Sequence, residues 1–288
     1  MRRRRIMAAL ALAASLAAGG PARAGGPAAD PACEGVPWLE RLPGRERTRA
    51  AYRLVGEPPQ GLEARIEPPE GRTPFPHGLL EADPPRPPAV RLADRRLAIE
   101  RGTRGNYHWL EITGTAADGT RVRAATAHYF SGQGPAPDTL LARPRPGLAL
   151  LPDPLPREHA RYRAGEQWPF RVRLEGSPLA GAEVALCMGG RLLGRWRSDA
   201  AGRVRVRFPV DAPLHAARGR HGRHRAAPFR LVVRATVAGG TQHAASFAYT
   251  LHAPVTETRN GGAGLGALLA GAGLGILTLR RRGGRAER

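Results

Sequence analysis

Apolar and polar residues alternate strictly in the second half of the chain. The alternation is clearest in WPFRVRLE, from Trp168 to Glu175, and in GRVRVRFPV, from Gly202 to Val210. Apolar residues occupy one phase and arginines fill most of the other. A period of two is typical of β-strands with one buried face. We therefore predict that residues 148–254 form an immunoglobulin-like β-sandwich domain.

Residues 48–131 also contain short apolar runs separated by turn residues, which indicates a first β-rich domain. A Pro-rich connector spans residues 132–147, and an N-terminal extension spans residues 25–47. The predicted fold is all-β, with two immunoglobulin-like β-sandwich domains. The strands predicted for the first domain are Tyr52–Val55, Leu62–Ile66, Leu97–Glu100, Asn106–Thr113 and Arg121–Phe130.

The hairpin around Ala238-Gly239-Gly240 shows how the apolar pattern selects a strand register. A two-residue turn would place Phe229 opposite Thr250, whereas a three-residue loop places Phe229 opposite Tyr249. A slip of one residue turns every side chain to the other face. We therefore predict the three-residue loop, because it keeps the aromatic residues on the buried face.

The first residues have the three parts of a secretory signal peptide. Arginines at the start precede an apolar stretch, and Ala22 and Ala24 flank Arg23 in a small-x-small cleavage pattern. We expect residues 1–24 to be removed by cleavage after Ala24.

The end of the chain resembles a membrane anchor. Residues 255–260 would be a short linker, and residues 261–279 carry no charge and predict one C-terminal transmembrane helix. Residues 280–288 would be a cytoplasmic tail, and Arg280, Arg281 and Arg282 would stop translocation. This arrangement predicts a single-pass protein of the inner membrane with a periplasmic ectodomain, and the lipid bilayer as a partner. The tail also resembles bacterial Gly-Gly sorting signals, so the helix is either retained or processed by a sorting protease.

The charge balance adds little about a partner. The chain has 45 basic residues and a net charge of +21, and every basic residue is arginine. In the middle of the chain the arginines alternate along strands and are not joined by stacking aromatics. We therefore expect no nucleic-acid partner.

His108 and His128 are the candidate metal ligands. A three-residue loop at Ala117–Gly119 would place them directly opposite each other, whereas a two-residue turn would point them to opposite faces. The three-residue loop is favoured because it also gathers apolar residues on the histidine face. Two imidazoles could bind Ni, Co, Cu or Zn, but two ligands alone make a weak site. The alternative is a hydrogen-bonded pair without metal.

Cys33 and Cys187 are the chain's two cysteines and are candidates for a disulfide. A secreted protein enters an oxidising compartment, where such a bond persists. The alternation places Cys187 with Glu183 on the solvent side of its strand. The bond would then strap the N-terminal extension across the second domain. Two free thiols are the alternative.

The segments Gly147–Leu186 and Arg197–Pro209 carry a family resemblance. They contain LALLPDP, an AGE turn, EGSPLAGAEV and a turn from Asp199 to Gly202. They resemble a bacterial periplasmic family of unknown function that has been linked to cobalt and nickel ABC transport. The last two features are similar to carboxypeptidase-regulatory-like and transthyretin-like modules. The resemblance implies an immunoglobulin-like fold outside the cytoplasm and a link to a metal permease.

No catalytic motif is present in the sequence, so we predict a protein that is not an enzyme. The prediction is a membrane-anchored envelope accessory or binding protein linked to nickel or cobalt uptake, with no established cofactor. The alternative is a structural or adhesive surface protein whose immunoglobulin-like domains act as spacers.

Overall fold

The computed structural model describes residues 30–44, 49–67, 90–100, 107–130, 137–156, 160–219, 222–237 and 239–254. Within these ranges the chain is nearly all β, with one 3-10 helix, Pro31–Cys33, and one short α-helix, α1, Asp138–Ala142. The strands are β1 Trp38–Arg41, β2 Arg49–Val55, β3 Gln60–Glu67, β4 Val90–Ala93, β5 Arg96–Glu100, β6 Tyr107–Thr115, β7 Arg121–Tyr129, β8 Leu148–Pro152, β9 Tyr162–Arg163, β10 Gln167–Leu174, β11 Ser177–Pro178, β12 Glu183–Met188, β13 Arg191–Arg197, β14 Arg203–Arg207, β15 His215–Gly219, β16 Gly222–Thr236 and β17 Gln242–His252.

The described strands form three sheets. The central sheet has nine strands, with the order β13-β12-β16-β17-β7-β6-β3, and with β15 paired to β16 and β9 paired to β17. The N-terminal sheet has the order β1-β2-β5-β4. The C-terminal sheet has the order β11-β10-β14, and β8 pairs with β10.

The central sheet contains strands from both halves of the chain. β7 pairs in parallel with β17, from Arg121 opposite His243 to Ala125 opposite Phe247. Hydrogen bonds therefore join the predicted first domain to the predicted second domain. The domain boundaries at residues 131/132 and 147/148 stay a prediction.

The hairpin of β16 and β17 has the predicted register. Phe229 pairs with Tyr249, Leu231 with Phe247 and Val233 with Ala245. The amide of Val237 donates to the carbonyl of Thr241 at 3.0 Å, which closes the loop. Gly239 and Gly240 have φ of 91° and 80°, so this loop needs residues that tolerate the left-handed region.

The largest apolar core lies between the central and C-terminal sheets. It contains the side chains at the alternate positions of β10 and β14 that the sequence pattern predicts to be buried. It also contains the aromatic side chains of β16 and β17. Tyr162 lies at its centre, with ring centroids of Phe208 and Phe229 at 5.7 and 5.3 Å. The predicted inward faces are therefore confirmed for these strands.

A second apolar core covers the other face of the central sheet. Tyr52 and Leu54 of β2 and Ile99 of β5 pack against Leu110 and Ile112 of β6. Because the two small sheets lie against the central sheet, most residues of both phases of β6 and β7 are buried. β6 and β7 therefore bury both faces over most of their length, unlike the strands with one buried face that the alternation predicts in the second half of the chain.

The N-terminal extension lies across β12, β16 and β17. Ser246 Oγ donates to the carbonyl of Pro37 at 2.6 Å, and the guanidinium of Arg234 donates to the carbonyls of Ala32 and Glu34. Cys187 is 1% exposed beneath this segment. The predicted solvent-side position of Cys187 is therefore wrong, because the extension covers that face.

The predicted connector 132–147 is partly outside the described residues. Its described part contains α1, whose Leu140 is buried in the main core. This part packs against the sheets instead of crossing solvent.

Both predicted targeting segments lie outside the described residues. This holds for the signal peptide with Ala22 and Ala24, for the transmembrane helix at 261–279, and for Arg280, Arg281 and Arg282. Among the described residues, no helix has the length and apolarity needed to cross a bilayer.

Candidate functional site

The β6–β7 hairpin brings the two candidate histidines together. His108 pairs directly with His128, and the loop Ala117–Gly119 is closed by the amide of Ala116, which donates to the carbonyl of Thr120 at 2.8 Å. The carboxylate of Asp118 accepts the amide of Thr120 at 2.9 Å, which supports the turn. The favoured three-residue register is the one that the structure contains.

The histidine pair lies in the second core, between β6, β7 and the N-terminal sheet. His108 is 0% exposed and His128 is 5% exposed. The hydroxyl of Tyr52 and Nδ1 of His128 are hydrogen-bonded at 2.7 Å. The ring of Phe130 lies 5.2 Å from the ring of His108 and 4.3 Å from that of His128, measured between centroids. Apolar and aromatic groups therefore surround both imidazoles.

This environment keeps His128 neutral. Burial, then the charges of Arg41 and His108, lower the pKa of His128 to about 3. Burial also raises the pKa of the Tyr52 hydroxyl. A neutral imidazole can ligate a metal, but a Tyr52 ligand would first have to lose a proton that this site retains.

The described residues contain no group of three or more His, Cys, Asp or Glu that could hold a metal ion. What the geometry offers at His108 and His128 is a buried polar contact to Tyr52 within an aromatic cluster. Metal binding by His108 and His128 stays a prediction.

A buried group of charges is the feature that the sequence analysis missed. We call it the ionic cluster, and it has five members: Glu67, Glu111, Arg123, Arg143 and Arg145. Arg145 Nη2 donates to Glu67 Oε2 at 3.0 Å, and Arg145 Nε lies 3.6 Å from Glu111 Oε2. The same Glu111 oxygen accepts from Arg123 and, at 3.1 Å, from Nε1 of Trp109.

The ionic cluster fastens the end of the predicted connector to the central sheet. The guanidinium of Arg145 lies 4.9 Å from the centroid of the Trp109 ring, and its Nη2 donates to the carbonyl of Leu140 at 3.1 Å. Arg123 of β7 donates to the carbonyl of Pro146. Burial lowers the pKa of Arg145, and the charges of Glu67 and Glu111 act in the opposite direction.

Glu111 and Arg123 are buried, although charged residues that alternate with apolar ones along a strand are expected to face solvent. They share the face of β6 and β7 with Trp109, which is fully buried in the main core. Trp109 was the available signal, because a tryptophan two residues from a glutamate on one strand face indicates a partly apolar surrounding. The burial itself depends on Arg145, whose position the connector's composition does not predict.

The disulfide joins the extension to the central sheet. Cys33 and Cys187 are bonded, with their Cα atoms 5.7 Å apart. Both are buried with Val36, Val232 and Ala244 in a small third core. The strap proposed from the sequence is therefore present in the structure.

A cleft of about 330 Å³ opens where the extension meets the β6–β7 and β16–β17 loops. Its polar lining includes Asp118, Arg234 and His243. Burial and then the charge of Arg121 lower the pKa of His243, and the charge of Glu175 acts in the opposite direction. These groups alone do not identify a reaction.

Comparison with known proteins gives no family. The sequence matches no protein-family model and no curated protein. Three solved structures that it resembles come from two adhesins and a large adhesion protein. The first belongs to a 1.5-MDa bacterial ice-binding adhesin studied for host cell surface retention, at 11% identity, with 77% of this chain and 66% of that chain covered and a TM-score of 0.23.

The second is a Ca²⁺-stabilised adhesin that helps an Antarctic bacterium bind ice, at 12% identity, with 76% and 49% covered and a TM-score of 0.24. The third is a tetra-tandem repeat from the extending region of a large adhesion protein, at 10% identity, with 75% and 49% covered and a TM-score of 0.24. The chain spans about two thirds of the first structure and about half of the others. At these TM-scores the likeness carries no conclusion about fold or function.

Replacing Arg145 with methionine should lower the free energy of unfolding by about 3–5 kcal/mol, because it leaves Glu67 and Glu111 with less buried positive charge. The control is Arg195→Met. Arg195 pairs with Glu183 at 2.7 Å but its side chain is 47% exposed, so a loss of about 0–1 kcal/mol is expected. Urea unfolding of both variants measures the difference. Equal losses of unfolding free energy in the two variants would show that the ionic cluster stabilises the fold no more than an exposed ion pair does.

Acid should weaken the fold through His128. In the unfolded chain His128 binds a proton near pH 6.5, whereas in the folded chain it binds one near pH 3. The contribution of His128 to the free energy of unfolding is therefore complete above about pH 6.5 and is lost as the pH falls toward 3. The expected slope is about 1.4 kcal/mol per pH unit. His128→Gln should reduce that slope, and the exposed His215→Gln should keep it. Unfolding free energies at pH 7, 6 and 5 give the slopes, and an unchanged slope in His128→Gln would contradict the assignment.

Proposed function

We propose that this protein is a structural or adhesive surface protein that works outside the cytoplasm as a rigid β-scaffold. The observation that carries the proposal is the Cys33–Cys187 disulfide between the N-terminal extension and the central sheet. Such bonds persist in oxidising compartments and are rare in the cytoplasm. The bond joins residues 154 positions apart, and closing so long a loop contributes on the order of 5 kcal/mol in the chain-entropy model.

The packing supports a spacer role. The central sheet is covered by a smaller sheet on each face, and the ionic cluster attaches the connector to it. A spacer needs resistance to local opening, and buried contacts on both faces of a sheet supply it. An adhesive protein also needs an exposed binding surface on such a scaffold.

The anchor belongs to this proposal. The uncharged run at residues 261–279, followed by Arg280, Arg281 and Arg282, would tether the scaffold to the membrane after signal cleavage behind Ala24. In the described part of the chain the last strand, β17, ends at His252, and residues 255–260 would form a short linker to this run.

The link to nickel or cobalt uptake stays a prediction. Its candidate ligands His108 and His128 lie in an aromatic core, and His128 already shares a hydrogen bond with Tyr52. No feature of the described residues favours this role over the scaffold, so we do not propose it as the main function.

The test compares strains of the encoding bacterium: one without this gene, one complemented with the full chain, and one complemented with a chain stopped at Asn260. We expect the deletion strain to attach less to a coated surface. The full chain should restore attachment, and the stopped chain should be released and fail to restore it. Attachment counts and immunoblots of membrane and medium fractions give the readouts.

Cellular nickel and cobalt are measured in the same strains by mass spectrometry. Unchanged attachment in the deletion strain would contradict the adhesive function. A fall in cellular metal with unchanged attachment would support the uptake role instead.

A further inference from the structure

The outward face of the C-terminal sheet carries a row of arginines. Phe170, Val172, Val204 and Val206 point into the main core, so the intervening positions of β10 and β14 face solvent. These positions hold Arg171, Arg173, Arg203, Arg205 and Arg207, which we call the arginine stripe.

Most of the stripe has no acidic partner. Arg171 makes two hydrogen bonds to the carboxylate of Asp153, at 2.6 and 2.9 Å. Within the described part of the chain, the other members of the stripe form no ion pair. Arg203, Arg205 and Arg207 are also exposed.

Some arginines of the other two sheets stand opposite a glutamate. In the N-terminal sheet Arg53 stands opposite Glu40 and bonds to it, and in the central sheet Arg197 stands opposite Glu183, 3.7 Å away. In the C-terminal sheet Arg203 stands opposite Arg171. Like charges directly opposite each other destabilise a sheet. Like-charge pairs also occur in the other two sheets, where Arg53 stands opposite Arg96 and Arg218 opposite Arg223. The stripe is marked instead by three successive exposed arginines on β14 that form no ion pair within the described part of the chain.

The spacing of the stripe suits an extended polymer. Alternate residues of a strand lie roughly 6–7 Å apart, and adjacent strands lie about 5 Å apart. Arg203, Arg205 and Arg207 therefore form a row along β14, with Arg171 and Arg173 beside it on β10. A single small anion would engage one part of this row, whereas a chain with repeated negative charges would engage all of it.

One arginine of the stripe already binds a carboxylate. Asp153 receives the Nε and Nη2 atoms of Arg171 in a two-pronged contact, which is the geometry that a guanidinium offers to a carboxylate. A polymer that repeats carboxylates could use the same contact with the unpaired arginines.

The chemistry of the face disfavours two other polyanions. Single-stranded nucleic acid needs aromatic rings for base stacking, and the outward positions of β10 and β14 carry none, since Trp168 points to Tyr162 at 4.9 Å between centroids. Membrane docking is helped by apolar side chains that enter the headgroup region. Among the described residues the exposed large apolar side chain is Val210, which lies beyond the end of β14.

We propose that the arginine stripe binds an anionic polysaccharide with repeated carboxylates, a polyuronate. The inference rests on the proposed adhesive function and names its ligand class. The polymer lies along β14 and its carboxylates pair with Arg203, Arg205 and Arg207.

The test measures binding of the full chain, purified in neutral detergent, to immobilised polygalacturonate, with neutral dextran as the reference surface. The stripe variant is Arg203→Gln/Arg205→Gln/Arg207→Gln. The control variant, Arg53→Gln/Arg65→Gln/Arg195→Gln, removes the same charge from exposed arginines that have glutamate partners. We expect binding to weaken on the order of tenfold in the stripe variant and less than about threefold in the control.

Both variants should stay folded, with unfolding temperatures close to that of the wild type, because they change exposed side chains. If the stripe variant does not fold, Arg205→Gln alone, opposite Pro169, is the replacement, and a measurable loss of binding is still expected. Equal weakening in stripe and control variants would overturn the inference, because binding would then follow total charge. Equal binding to dextran, or no binding to polygalacturonate, would also overturn it.

Phosphatidylglycerol vesicles and duplex DNA serve as competing probes. Stripe-dependent binding to either one, without stripe-dependent binding to polygalacturonate, would overturn the polyuronate assignment. The cell experiment separates the two proposals. Stripe-dependent polygalacturonate binding with unchanged attachment of the deletion strain refutes the adhesive function and leaves the ligand class standing.

Discussion

The parallel pairing of β7 with β17 is the contact on which the rest of the structure depends. It joins an N-terminal hairpin to a C-terminal hairpin through Ala124 and Ser246 at the centre of one sheet. Because this sheet lies between the two small sheets, the C-terminal sheet packs on one of its faces and the N-terminal sheet packs on the other. A parallel pair requires a long connection, and the chain segment between β7 and β17 supplies the whole C-terminal sheet.

Covering both faces of the central sheet imposes a cost on its polar side chains, because a buried polar group needs a partner. Two examples show how the molecule meets this requirement. Glu111 is surrounded by arginines and Trp109, and His128 is kept neutral and bonded to Tyr52. The face near Cys187 is covered by the extension, which the disulfide holds in place. The arginine stripe lies on the outward face of the C-terminal sheet, where Arg203, Arg205 and Arg207 are exposed among the described residues.

Local pattern was sufficient to predict β6, β7, β10 and β14 and two hairpin registers, whereas β1, in the predicted extension, and β4 were not predicted. The pairs Phe229–Tyr249 and His108–His128 follow from apolar alternation, since a one-residue slip would expose an apolar set. The two cysteines were sufficient to suggest their bond.

Long-range contacts could not be predicted in this way. Nothing in the alternation of β7 or β17 indicates that they are neighbours, and the burial of Glu111 depends on Arg145 from a connector with the composition of a linker. Cys187 was assigned to solvent because its strand alone does not show that the extension crosses it. In each case the deciding partner is distant in sequence.

Native-state hydrogen exchange tests the shared sheet most directly. If β7 and β17 form one cooperative unit, the amides of residues 122–125 and 244–247 should exchange with the same free energy of opening, close to that of global unfolding. Amides of β6 and β7 that open at a clearly lower free energy, while β16 and β17 stay protected, would contradict the account.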